Sequence, residues 1–371
     1  MVTSEFIYVN APIPKDYAPP QIVRVTSAQF GEVASLLVSN DVSIEPAVRS
    51  SPAECILSVF EHVEVLLGDP RFIPERRALW LDKLSRFTDS GKPVHFLAMA
   101  FPYKVPNPLK TGQRRAPDLG EGLMLRRFAA ILAAVQRCYQ PGARLTLLEE
   151  GILGRCQGVD PADIAAYRAG ISQVFRLADL EGASIAFHSL DDMVNRIDNF
   201  EARWYMEQER LRRLWEEEDP YVRRAYQETF PGQRSTVPTR DYNPVTLAEA
   251  LDPAQGGSAL RYVHEYLDTV AHRQFFAYRA LINLRDASGY LEGIVPGGIK
   301  LTVAPKPTNL AVIPINRHTN ILPYHGAPIV SLDGAWSIDY FGNLGTYGPL
   351  EAIHLSDDAD PAPIAYRMVS E

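Results

Sequence analysis

The chain has 371 residues, of which 46% are hydrophobic, 22% charged and 10% aromatic, with a formal net charge of -8. That is enough chain for one large globular domain or two ordinary ones. The acidic balance argues against general affinity for nucleic acid or anionic membranes, which require clustered positive charge.

No run approaches roughly 18 uninterrupted apolar residues, so no membrane span is expected. The opening residues show neither a basic region nor a long apolar stretch, and no signal peptide is expected there. Cys55, Cys138 and Cys156 are few, odd in number and widely spaced. They suggest reduced thiols in a cytoplasmic setting rather than a disulfide framework. Neither CxxC nor HExxH spacing occurs, which argues against a metal site.

Residues 1–25 read as an extended, proline-rich lead-in, and 28–40 and 53–67 carry helical apolar spacing. Together they form a helical lead-in over 1–90. Residues 93–100 are a short apolar run of strand length. A loop rich in proline, glycine and basic residues follows. Met124, Phe128, Ile131, Leu132, Val135 and Tyr139 then mark one face of a helix, which Pro141-Gly142 stops. Residues 144–148 read as a second strand. Asp160-Pro161 opens the next helix with an N-cap and a proline at its first position. Gly182 ends it, and 183–187 are a third strand.

This alternation predicts an α/β fold, a Rossmann-like three-layer core with parallel strands. Ligands in such folds sit beyond the carboxyl ends of the strands, which is where the 101–119 loop lies. Residues 195–290 read as a helical insertion rich in Arg, Glu and Trp. Short β-rich runs at 299–304, 310–315, 327–332 and 335–340 predict a C-terminal meander joined to the parallel sheet as a mixed sheet. Asp333-Gly334 signals a type I′ hairpin. The core is thus expected over 91–345, with 346–371 as a tail.

Lys104, Lys110, Arg114 and Arg115 crowd the loop after the first strand, with Asp118 and Glu121 at the start of the helix behind it. Such cations beside a helix N-terminus suit a phosphate or carboxylate, and the acids suit proton transfer. Charge alone leaves a second reading open, a solvated basic loop whose acids cap the helix. The patterns GxGxxG and GxxxxGK[ST] are absent, which disfavours nicotinamide, flavin and P-loop chemistry.

The run from Phe101-Pro102-Tyr103-Lys104-Val105-Pro106-Asn107-Pro108 to Leu109-Lys110-Thr111-Gly112, continued by Pro117-Asp118-Leu119-Gly120-Glu121, resembles the hallmark motif of the isonitrile (isocyanide) synthases. That family includes a fungal spore-wall dityrosine-biosynthesis protein, and its members read G-F-P-x-K-S-P-N-P-x-K-V-L-G and then P-D-x-x-E. Tyr139-Gln140-Pro141-Gly142-Ala143 is similar to its Y-x-P-G-A turn. Residues 299–305 resemble its I-R-L-S-I-H-P, and Pro323-Tyr324-His325-Gly326 its P-W-H-G. The chain departs from the pattern at Val105 for serine, Glu149-Glu150-Gly151 for S-D-G, Lys300 for arginine, Ala304 for histidine and Tyr324 for tryptophan.

The resemblance implies conversion of the amine of a tyrosine- or tryptophan-like amino acid to an isonitrile, with ribulose 5-phosphate as carbon donor and no metal or redox cofactor. It implies secondary metabolism, with an iron- and 2-oxoglutarate-dependent oxygenase commonly acting next. On that reading Lys104, Asp118, Glu121 and His325 are the candidate catalytic groups. Lys110, Arg114, Asn107, Lys300, Glu150 and Tyr324 are the candidate substrate and phosphate contacts. His325 alone reads equally as a structural histidine, Glu150 as an exposed strand-end acid, and His95 as a packed strand residue. Two other functions remain open. One is the same fold with another outcome, such as N-formylation. The other is a binding protein without turnover.

Overall fold

The computed structural model describes residues 20–38, 43–66, 73–101, 103–104, 110–156, 158–180, 182–235, 256–302, 309–317, 319, 321–358 and 360–370. The chain opens with β1 (Ile22–Ala28), α1 (Phe30–Val38), α2 (Pro52–Phe60) and α3 (Ile73–Thr88). Ser51 caps α2 by accepting from the Glu54 N–H, and Pro52 sits at the first helical position, where its missing N–H costs nothing. Among the described side chains of α3, Trp80 and Leu84 are buried, with Leu81 and Phe87 packed partly against the same core.

The βαβ units follow as β2 (Val94–Ala100), α4 (Leu119–Cys138), β3 (Ala143–Glu149), α5 (Gly151–Cys156), α6 (Pro161–Leu177) and β4 (Ile185–Ser189). With β5 (Ile299–Thr302) and β6 (Leu310–Ala311) they form an all-parallel sheet of order β4-β3-β2-β5-β6. Strand order reverses between β2 and β5. That reversal is the topological switch point at which α/β sheets open a crevice for ligands.

Strand alternation divides the core. Phe96, Ala98, Leu145, Leu147, Ile299 and Leu301 face one way, into a core shared with α1, α2, α4 and α6. Leu97 and Leu148 face the other way, against α5, α10 (Gly256–Ala287) and α11 (Tyr290–Ile294). The insertion between β4 and β5 also carries α7 (Asp192–Arg196), α8 (Phe200–Glu216) and α9 (Pro220–Ser235). α8, α9 and α10 share a small core of their own, centred on Leu211, Val222, Phe275 and Phe276. The charged α8 thus divides its few apolar residues, Leu211 going to its neighbours in the insertion and Phe200 to the cluster beneath the parallel sheet.

The expected meander divides. β5 and β6 extend the parallel sheet. β7 (Ala327–Val330) and β8 (Trp336–Asp339) instead join a second, mixed sheet of order β1-β9-β10-β7-β8. The segment expected as a tail supplies two interior strands of that sheet, β9 (Leu350–Leu355) and β10 (Ala365–Met368). The lead-in supplies its edge, with β1 parallel to β9. The reason is burial: Val330, Trp336, Ile338, Ile353 and Leu355 cover the outer side of the layer containing α4, a surface the parallel sheet cannot reach. The β7–β8 hairpin forms, but its loop runs from Ser331 to Ala335, with Val330 paired to Trp336. Only Gly334 takes positive φ, at 84°, so the expected two-residue type I′ turn is replaced by a longer one.

Candidate active site

β2 ends in a backbone that few side chains adopt. Phe101 has φ of 54° and is fully buried, a left-handed conformation that costs a residue with a Cβ about 1–2 kcal/mol. Its ring packs near Phe187 at 6.2 Å and Tyr324 at 6.5 Å between centroids. The chain therefore turns sharply at the carboxyl end of β2, and Lys104 comes to lie against the start of α4.

There the sequence Asp118-x-x-Glu121 folds as a capping box. Asp118 Oδ1 accepts the Gly120 N–H at 2.8 Å, and Glu121 Oε2 accepts the Asp118 N–H at 2.8 Å. The same two carboxylates hold Lys104. Its Nζ donates to Asp118 Oδ2 and, at 3.3 Å, to Glu121 Oε2. All three side chains are buried, Lys104 to 1% exposure. The acids cap the helix and also meet the lysine: Asp118 turns Oδ1 to the helix and Oδ2 to Lys104, whereas Glu121 Oε2 accepts from both the Asp118 N–H and Lys104.

α6 adds a member that the sequence concealed. Tyr167, fully buried, donates its hydroxyl to Glu121 Oε1 at 3.0 Å. It lies on the apolar face with Ile164, Ile171 and Val174 and reads there as core. The available signal was its hydroxyl, which needs a partner when buried.

Two buried acids against one ammonium share protons as a pair. Burial, and the negative charge of Glu121, push Asp118 well above the usual carboxyl range against the pull of Lys104. Burial raises Glu121 too, but Lys104 and the hydrogen bonds from Asp118 outweigh it and hold Glu121 below its ordinary value. Asp118 is thus the proton carrier of the pair and Glu121 the standing anion.

Lys110 and His325 complete the cluster. Lys110 is buried, its amine stands 5.8 Å from the centroid of the Tyr340 ring, and burial brings its pKa down to about 7. His325 belongs to the 3-10 turn Pro323–His325, its ring edge-on to Tyr324 at 4.8 Å. Burial, then the charges of Lys110 and Lys104, hold its pKa well below the ordinary value, so it is a neutral imidazole at pH 7. The cluster therefore holds an acid–base pair, a lysine amine poised near neutrality and a neutral histidine. Those are the parts for moving protons beside an anion.

Other expected contacts lie elsewhere. Arg114 is turned away from an incoming anion: it donates to Pro117 O and Ala362 O and pairs with Asp358 at 2.6 Å. Its fork is spent fastening the loop to the C-terminal segment. The backbone N–H groups of Arg115 and Ala116 bind Asp360 at 2.8 and 2.9 Å, and Leu119 N bonds Ile364 O at 3.2 Å, for the same purpose. Lys300 is exposed, on the opposite side of β5 from the buried Ile299 and Leu301. Glu150 is half-buried, and its charge acts on the buried Tyr103 hydroxyl together with Cys156 and Tyr278 of α10. Its neighbour Glu149, not singled out from sequence, is the more buried acid and pairs with Arg168 at 2.6 Å. His95 is half-buried and bonded to Thr146 Oγ1 at 2.9 Å. Asn107, Val105 and Ala304 lie outside the described residues. Among the described residues no group of His, Cys, Asp and Glu is arranged to hold a metal ion, and no helix is long and apolar enough to cross a membrane.

Residues 84–237 match the family of pyoverdine/dityrosine biosynthesis proteins. An L-tryptophan isonitrile synthase of Fischerella ambigua is 29% identical over 124 residues, covering 33% of this chain and 37% of that protein. An L-tyrosine isonitrile synthase of Pseudomonas aeruginosa is 30% identical over 114 residues, 30% of this chain and 34% of that one. A spore wall maturation protein of Saccharomyces cerevisiae is 26% identical over 119 residues, 32% of this chain and 22% of that one. The sequence matches thus span little more than a third of these relatives. The fold match is wider: the crystal structure of PvcA from P. aeruginosa superposes with a TM-score of 0.64 at 19% identity, over 86% of this chain and 100% of that one. The matched stretch contains Lys104, Asp118, Glu121 and Tyr167, and over that stretch the chain is similar to the pyoverdine/dityrosine biosynthesis proteins.

Proposed function

We propose that this protein is an isonitrile-synthase-like enzyme of secondary metabolism in the cytoplasm. It converts the amine of a tyrosine- or tryptophan-like amino acid to an isonitrile, with ribulose 5-phosphate supplying the carbon. The observation that carries the reading is the buried Lys104–Asp118–Glu121 cluster, at the switch point of a sheet whose relatives include tyrosine and tryptophan isonitrile synthases.

The amine must attack the sugar ketone, lose water to give an imine, and fragment with departure of phosphate. Each step moves protons within a site that excludes water. Asp118, carrying a proton, serves as acid to the departing hydroxyl. Glu121, the anion, takes the amine proton, and Tyr167 orients it. Lys104 holds the two carboxylates together and faces the substrate. Lys110, with a pKa of about 7, gains a proton when phosphate enters, and His325 remains a neutral hydrogen-bonding partner beside it.

The test is incubation with carbon-labelled ribulose 5-phosphate and a panel of amino acids, read by mass spectrometry. The expected product carries one labelled carbon on nitrogen and has lost both α-amine hydrogens. A product retaining one N–H is a formamide and replaces the isonitrile reading with N-formylation. Ligand binding without any labelled product leaves a binding protein.

A further inference from the structure

Arg127 is a buried cation that the cluster around Lys104 does not use. It lies on α4, beyond the capping box, with 3% of its side chain exposed. Nε, Nη1 and Nη2 all lack a hydrogen-bond acceptor among the described residues. A guanidinium carries five donors in a fixed plane, and such donors are almost always matched when buried. Its neighbouring charge is Glu64, at 3.7 Å, too far for a hydrogen bond. Glu64 also faces Arg317 at 3.8 Å. Among the described residues, two guanidinium groups against one carboxylate leave one positive charge in excess. Burial lowers the pKa of Arg127 and Glu64 opposes that, yet a guanidinium keeps its proton in proteins.

Exposure falls from one of these residues to the next. Arg317 is 55% exposed, Glu64 23% and Arg127 3%. The loops carrying the outer two are tied together, since Ile313 N donates to Val65 O at 2.8 Å and Leu66 bridges Val312. The two loops that face Arg127 are therefore fastened to each other, and a planar fork of this kind suits two oxygens of one anion.

We propose that Arg127, with Arg317 at the mouth, forms an oxyanion-binding site for a carboxylate or phosphate group, set between α4 and the loops 61–66 and 312–317 and sharing no residue with the Lys104 cluster. Ordered water is the competing occupant of the donors, but water does not neutralise the excess charge.

The test uses the full chain carrying Lys110→Ala, so that phosphate at the proposed catalytic site does not contribute. Inorganic phosphate and acetate are titrated separately by calorimetry. At least one is expected to bind saturably, and the stronger of the two identifies the oxyanion. Arg127→Gln should abolish that binding, and Arg317→Ala should weaken it about tenfold, the loss of one charged contact. Glu64→Gln should strengthen it, because the competing carboxylate is gone. That reversal of sign separates this site from adventitious binding, and with Arg317→Ala it carries the test if Arg127→Gln fails to fold. No saturable binding of either anion, or binding indifferent to Glu64→Gln and Arg317→Ala, would overturn the proposal. Neither result bears on whether an isonitrile is made.

Discussion

Lys104 is both the centre of the candidate site and the counter-ion of two buried acids. Replacing it with methionine is expected to abolish turnover and to destabilise the protein by about 3–5 kcal/mol at pH 7, the usual consequence of stranding buried charge. Without the ammonium, both carboxyls have folded pKa values raised above their unfolded ones. Their penalty then grows as pH rises through the unfolded values and shrinks in acid. Denaturant unfolding of the variant at pH 7 and pH 5 should show the deficit narrowing at the lower pH. A constant deficit would mean the carboxyls are not coupled to Lys104. Tyr167→Phe removes a hydrogen bond to Glu121, and a donor to a carboxylate favours its ionised form. The substitution should cost about 1.5–3 kcal/mol of transition-state stabilisation and move the acid limb of the rate profile upward. An unchanged limb would reduce Tyr167 to a packing residue. His325 has a folded pKa well below 6.5, so the unfolded chain binds its proton first. Its contribution is full above about pH 6.5 and is lost as pH falls below that value. His325→Gln should flatten the decline in stability measured between pH 7 and pH 5.5.

At the scale of elements, α4 is the part on which the site depends. Its first turn is pressed against the second sheet: a Cβ on Gly120 would meet Ile338 at 2.9 Å, Pro323 at 3.2 Å and Asp118 Oδ1 at 3.1 Å. Gly120→Ala is therefore expected to cost about 1–3 kcal/mol by overpacking, despite the better helix propensity of alanine, and to lower turnover by displacing the Asp118 carboxylate. A thermal melt with unchanged or raised midpoint would contradict that account. The start of α4 was legible beforehand. Asp118-x-x-Glu121 is a cap signature, and Pro141-Gly142 is a stop. The partners that fasten it, Asp358, Asp360 and Ile364, come from a segment that read as a tail, since pairing across some 240 residues leaves no local trace.

At the scale of the whole molecule, the insertion and the main core should differ in stability. α8, α9 and α10 close on a small cluster around Leu211, Val222, Phe275 and Phe276, whereas β2 and β3 are central strands buried on both faces. Local opening follows such differences in buried apolar contact. Amide hydrogen exchange should therefore protect 94–100 and 143–149 far more than 200–235, and equal protection would show the insertion to be part of one cooperative unit.

Taken alone, the sequence determined what depends on neighbours along the chain: the βαβ periodicity, the caps and breaks of α4 and α6, and the crowding of charge between Lys104 and Glu121. It placed that loop at the carboxyl end of β2 because parallel topology admits little else. Only the tertiary structure decided how the charges are spent. Lys104 goes to two acids, Arg114 to the C-terminal segment, Lys110 to a buried site beside His325, and Arg127 to no acceptor among the described residues. It also moved the C-terminal strands into a second sheet and made Tyr167 a partner of Glu121. Those outcomes turn on burial and on contacts between distant segments. A charged side chain carries the same letter in the sequence whether it is solvated, paired or stranded.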